Sequence, residues 1–218
     1  MSRQSLAVIM FVLAAVVASG QSAVQVPGLS FTVLEDFETD RVWTVEPSDR
    51  SIGPTDVEAR FILSNRRGAP KYVGEEESRD LLVPPLGEQK QVLGLRITTG
   101  TYANHVIRIA PETPIPLPEG RPILFSFWAA SENLNHRLYA VFRDAGNHPY
   151  AEVFLTALNY FGWKRTTSPL YLYVPEGGLS WDGFTLVTDP LSHAVSPQYL
   201  YFDVVSVGVR GTQPGAAR

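Results

Sequence analysis

Apolar and polar residues alternate with a period of two along most of this chain. The runs are SFTVLEDF (Ser30 to Phe37), VEARFILS (Val57 to Ser64), QVLGLRITT (Gln91 to Thr99), NHVIRIA (Asn104 to Ala110), ILFSFWAA (Ile123 to Ala130), RLYAVFRD (Arg137 to Asp144), YAEVFLTAL (Tyr150 to Leu158), PLYLYV (Pro169 to Val174), SWDGFTLVT (Ser180 to Thr188) and YLYFDVVSVGV (Tyr199 to Val209). Each places apolar or β-branched residues at strand spacing, and Pro, Gly, Asn and Asp fill the gaps between them. With 17 Gly and 17 Pro spread through the chain, few windows remain in which a helix of three turns would survive. The pattern predicts an all-β domain, a two-sheet antiparallel sandwich of jelly-roll type.

Three segments break the alternation. Residues 66–88 (RRGAPKYVGEEESRDLLVPPLGE) are charged and then Pro-rich, which reads as a long surface loop of the kind that carries function. The tail, 211–218 (GTQPGAAR), has no bulky apolar side chain with which to dock and is expected to be a flexible, fraying end. At the other end, Arg3, the apolar run Leu6 to Ala18 and the small-residue exit Ala18-Ser19-Gly20 have the layout of a cleaved secretory signal peptide. The apolar run is shorter than the roughly 20 residues a spanning helix needs. Residues 1–20 are therefore expected to be removed, leaving one exported sandwich domain over 21–210.

The absence of cysteine rules out disulfides, thiolate metal sites and a cysteine nucleophile. Stability must then come from a core, which about 200 residues are enough to bury. Charge narrows the partners: 18 basic against 22 acidic residues, with no basic cluster, excludes a nucleic-acid interface. The four histidines, His105, His136, His148 and His193, lie in separate segments without metal-ligand spacing. No nucleophile elbow, phosphate loop or dinucleotide fingerprint occurs, and no carboxylate pair stands out as a glycosidase pair, so no enzyme activity is expected.

Two constellations remain. The first and last strands of a jelly roll commonly lie side by side, which would bring Asp36 or Glu38 near Asp203. Oxygen ligands of that kind would suit the structural calcium often held in sandwich modules of the carbohydrate-binding type; solvated or turn-capping acids are the plainer reading. The second is the aromatic turn LNYFGWKRTTSPLYLYVP (Leu158 to Pro175), with Tyr160, Phe161, Gly162, Trp163, Lys164 and Arg165 at its head. Three roles are open to it: core packing, a platform for a sugar ring with Asn159 and Lys164 as polar partners, or a protein interface.

The same turn belongs to a larger order of motifs. Phe37-Glu38 with Trp43, Val92-Leu93-Gly94-Leu95, Phe125 to Trp128, Leu138 to Asp144, Leu158 to Lys164, and Val187 to Pro190 followed by Tyr199 to Asp203 resemble, in order and spacing, the spirochaete FlaA family of flagellar filament outer-layer (sheath) proteins. The loop 66–88 has no counterpart in that pattern. The resemblance implies a periplasmic, non-catalytic coat subunit that binds the flagellin core and neighbouring sheath subunits, and so contributes to filament stiffness, curvature and motility. It implies no cofactor. A periplasmic carbohydrate-binding, lectin-like sandwich is the competing expectation, and glycan on flagellin would join the two.

Overall fold

The computed structural model describes residues 29–39, 41–48, 55–63, 91–99, 104–190 and 197–211. The signal peptide, the loop 66–88, His193 and all of the tail after Gly211 lie outside these residues. The described chain forms β1 (Leu29–Glu35), β2 (Trp43–Pro47), β3 (Thr55–Leu63), β4 (Gln91–Thr99), β5 (Val106–Pro111), β6 (Ile115–Pro116), β7 (Arg121–Glu132), β8 (Arg137–Asp144), β9 (Pro149–Ala157), β10 (Phe161–Pro169), β11 (Leu179–Val187) and β12 (Gln198–Arg210). Every pairing is antiparallel, within two sheets. The first, sheet A, runs β10-β7-β12-β4-β3, with β1 also on β12; the second, sheet B, runs β2-β5-β11-β8-β9, with β6 also on β11. This is the all-β antiparallel two-sheet sandwich that the alternation predicts.

The inward residues of both sheets meet in one core. Leu93, Leu95, Phe125, Phe127, Phe202 and Val207 from sheet A pack with Ile107, Ile109, Leu138, Phe142, Trp181, Phe184 and Leu186 from sheet B. Aromatic rings form its centre. Trp181 lies 5.0 Å from Phe184, 5.6 Å from Phe125 and 5.7 Å from Trp43, measured between ring centroids. Phe184 stacks on Phe202 at 5.3 Å, joining the sheets ring to ring. Such burial supplies the stability that a chain without disulfides needs.

Three departures from the sequence pattern have physical causes. Trp43–Pro47 and Ile115–Pro116 are too short and too Pro-flanked to announce themselves as strands. The head of the aromatic turn is itself a strand, β10, and its alternation is inverted: Lys164, Thr166 and Ser168 lie opposite the core residues Ala129, Phe127 and Phe125, whereas Trp163 lies opposite the outward Ala130. Conversely, of the expected strand Pro169 to Val174 only Pro169 belongs to β10, and residues 170–174 form a connector beyond it. Its alternation survives as buried Leu170 and Leu172 against exposed Tyr171 and Tyr173, but only Leu170 continues the ladder, its N–H donating to the Ile123 carbonyl.

A buried polar group near the β9–β10 end ties three segments together. The His136 imidazole accepts a hydrogen bond from the Asp189 backbone N–H at Nδ1 (3.1 Å), and its Nε2–H donates to the Gln198 side-chain oxygen at 2.6 Å. That arrangement requires the neutral ring. Burial lowers its pKa below the ordinary 6.5, opposed by the Gln198 hydrogen bond and the Asp189 charge. A depressed histidine stabilises the fold fully above the unfolded value, and that contribution is lost as pH falls from about 6.5 through the native value. Denaturant midpoints are therefore expected to decline between pH 7 and pH 5, with part of the decline absent in His136→Gln; an identical pH profile in that variant would refute the assignment.

Candidate functional site

The residues Tyr160 to Arg165 do not form an open platform. Leu158, at the crossover from β9 in sheet B to β10 in sheet A, is fully buried; its N–H donates to the His136 carbonyl and its own carbonyl accepts from the Leu134 and Asn135 N–H groups and the Ser131 hydroxyl. Tyr160 is half-buried, its hydroxyl donating to the Ala129 carbonyl at 3.3 Å, and burial raises its pKa well above the usual tyrosine value. The Lys164 ammonium sits 5.2 Å from the centre of the Tyr160 ring, a cation–π contact. Gly162 holds φ at +76°, where a side chain would be strained. Trp163 is 6% exposed, packed on the outer side of sheet A with Val92, Trp128, Ala130 and Tyr201. Arg165 donates from Nε to the Ser126 hydroxyl at 2.8 Å. Only Phe161, at 77% exposure, stands free of this bracing.

The carboxylates proposed for calcium are engaged separately. β1 does lie beside β12, with Glu35 opposite Val205. Asp36 accepts from the Glu38 N–H, Glu38 from the Gln91 N–H, and Asp203 from the Val204 N–H. Among the described residues no group of three or more His, Cys, Asp or Glu side chains is placed to hold a metal ion. At this corner the buried acid that the sequence did not single out is Glu35. It accepts from the Phe37 N–H at 2.8 Å, pairs with Arg41 at 3.2 Å, and so holds the turn in which Phe37 has φ +58°.

Several exposed aromatics lie on β9, β10 and the connector after β10. β9 and β10 are the edge strands of their sheets and lie against each other, joined by the Ser168 hydroxyl donating to the Leu155 carbonyl at 2.7 Å. From β9, β10 and the connector project Tyr150, Phe154, Phe161, Tyr171 (87% exposed) and Tyr173 (80% exposed). The Tyr150 hydroxyl donates to the Tyr173 carbonyl at 2.8 Å, fastening the connector to β9. Elsewhere among the described residues only Phe31 and Tyr199 are exposed aromatics.

The second feature is the outer face of sheet B. A β-bulge in β11 between Trp181 and Phe184 turns both of these rings inward and sets Asp182 on the outside. There Asp182 is 2% exposed, and one of its oxygens accepts from both Arg108 Nη2 and Arg143 Nε at 2.5 Å. Arg143 is further fixed by donating to the Asn147 carbonyl at 2.9 Å. Arg108, Thr185, Val141, Tyr150 and Glu152 line a shallow cleft of about 290 Å³ beside this triad. Tyr139 and Phe154, opposite each other on β8 and β9, meet edge to face at 5.4 Å. The sequence offered no sign of this arrangement, because its residues come one to three at a time from four strands.

No protein-family model matches the chain, and no curated protein matches it. Among solved structures, it is similar to the family 11 carbohydrate-binding module of the cellulosomal cellulase Lic26A-Cel5E of Clostridium thermocellum, at 13% identity and a TM-score of 0.43, covering 84% of this chain and 96% of that one. A carbohydrate-binding module of the β-sandwich superfamily, studied for promiscuous specificity, gives 10% identity and a TM-score of 0.48 over 78% of this chain and 59% of that one. TmCBM61 in complex with β-1,4-galactotriose gives 13% and 0.37, over 78% and 88%. Likeness at this level says nothing about what the present chain binds.

Proposed function

We propose that this chain is a non-catalytic coat subunit of a periplasmic flagellar filament, binding the flagellin core and its own neighbours. The observation that carries the reading is the concentration of exposed aromatics on the edge strands β9 and β10 and the connector. Edge strands are ordinarily guarded with charge, and exposed tyrosines and phenylalanines concentrated on them mark a surface built to be covered. The order of motifs from Leu34 to Val207 supports the same reading. A subunit repeated along a helix makes head-to-tail contacts that do not close, so modest interfaces multiply along the lattice.

Sheared and purified flagella are expected to carry this chain along with flagellin at near-stoichiometric abundance. A Tyr171→Ser/Tyr173→Ser double variant is expected to decorate filaments at least about tenfold less while melting within about 1 °C of wild type, since neither ring is packed. A chain that stays in the soluble fraction would defeat this reading.

A second reading, a carbohydrate-binding sandwich, is favoured by the outer face of sheet B. Aromatic rings and convergent hydrogen-bonding groups meet there, the combination that a sugar platform requires and that the Tyr160–Arg165 segment lacks.

A further inference from the structure

We infer that the outer face of sheet B is a track for an extended saccharide running across the strands, a proposal that rests on the second reading above. The strand registers align Glu46, Arg108, Thr185, Tyr139 and Phe154 in one row over β2, β5, β11, β8 and β9. Four strand spacings make this row about 19 Å long, enough for several sugar units rather than one. Its ends differ in chemistry. At the β9 end the exposed Phe154 ring, held edge-on by Tyr139, offers the apolar face on which a pyranose stacks.

Toward the other end, next to Glu46 on the edge strand β2, Arg108 on β5 supplies donors. Asp182 fixes one guanidinium nitrogen, and no other hydrogen bond engages Arg108 among the described residues, so its remaining N–H groups are oriented yet unspent. Between the ends the buried Thr185 forms part of the cleft floor, and Glu152 stands at its wall. Arg108 and Arg143 against Asp182, Glu152 and Glu46 leave the face without positive excess. That balance suits a neutral, hydroxyl-rich ligand, which both donates and accepts, better than a phosphate or an acidic peptide.

The row is rigid because of how it is made. The Asp182 carboxylate reaches both arginines only through the β11 bulge, and pairing cations from β5 and β8 across β11 fixes the three strands at one spacing. A preorganised face of this kind loses little freedom on binding.

Titration calorimetry of the mature chain with glucose and N-acetylglucosamine, and with their β-1,4-linked dimers and tetramers, tests the proposal. Wild type is expected to bind a tetramer at least about tenfold more tightly than the corresponding monomer. Phe154→Ala and Arg108→Gln are each expected to weaken tetramer binding at least about tenfold, with Phe154→Ala leaving the melting temperature in place. Tetramer binding that both variants retain would remove the site while leaving the second reading intact. Equal affinity for monomer and tetramer would overturn the track. No binding by wild type to any of these sugars would overturn the track and the second reading together. Flagellar decoration by Phe154→Ala is a separate measurement that bears on the coat reading alone.

Discussion

Gly183→Ala is expected not to fold, or to fold with a stability loss of roughly 4 kcal/mol or more. Two independent costs add at this position. The backbone sits at φ +85°, which L side chains rarely adopt, at a cost of about 1–3 kcal/mol. A Cβ built there also falls 2.0 Å from the Ile109 carbonyl oxygen and 2.8 Å from the Ala110 Cα, so β5 would have to move away from β11. Neither contact involves a flexible side chain that swings aside. For a domain of this size the loss corresponds to a melting temperature roughly 8–16 °C lower. Soluble yield and thermal unfolding of the variant measure it, and a shift below about 2 °C would mean that the bulge is not built as described. Gly178→Ala provides a control: it also has positive φ, +88°, but nothing lies within 4 Å of its new methyl group, so only the conformational cost applies.

Trp181→Ala should cost about 3–5 kcal/mol, the range for removing a large aromatic side chain from a closed core. Trp181 is fully buried and its ring touches Trp43, Phe125 and Phe184, so the cavity would open in the middle of the sandwich with no flexible neighbour to fill it. Trp181→Phe is expected to cost far less. The indole N–H that it deletes is buried without a hydrogen-bond partner, so no polar contact is given up and only ring volume is lost. Equal losses for the two substitutions, measured by denaturant unfolding, would show that the indole nitrogen has a role the packing does not reveal.

Both substitutions fall in β11, where sequence and structure agree least simply. SWDGFTLVT reads as a strand, and it is one, but strict alternation would put Trp181 and Phe184 on opposite faces. The inserted residue that reconciles them is visible only once the pairing with Phe142 and Ala140 is known. The same reason explains what else was legible. A core made by period-two runs shows in any window of the chain, so the sandwich and most of its strands could be read directly. The face of sheet B could not, because Arg108, Tyr139, Phe154, Asp182 and Thr185 become neighbours only through register. At β10 the local signal misled: Tyr160, Phe161 and Trp163 look like one aromatic cluster, yet the structure braces the first, exposes the second and buries the third on the outer side of sheet A. Tyr171 and Tyr173 were in view from the start, and their exposure followed from a connector leaving the ladder after Leu170.

β12 has one more consequence. Of the described strands it is the last in chain order, yet in sheet A it pairs with β7 on one side and with β4 and β1 on the other. Until residues 198–210 are available, that sheet is two unconnected halves, β10-β7 and β4-β3, with β1 unpaired. Sheet B, whose strands all precede β12, can pair first, but it has only those unconnected halves to pack against, and pairings so distant along the chain are slow to form. The sandwich therefore closes only once residues 198–210 have joined the two halves. If the chain is exported N-terminus first, as the proposed function supposes, this strand order would delay closure of the sandwich until the β12 segment had followed the rest across.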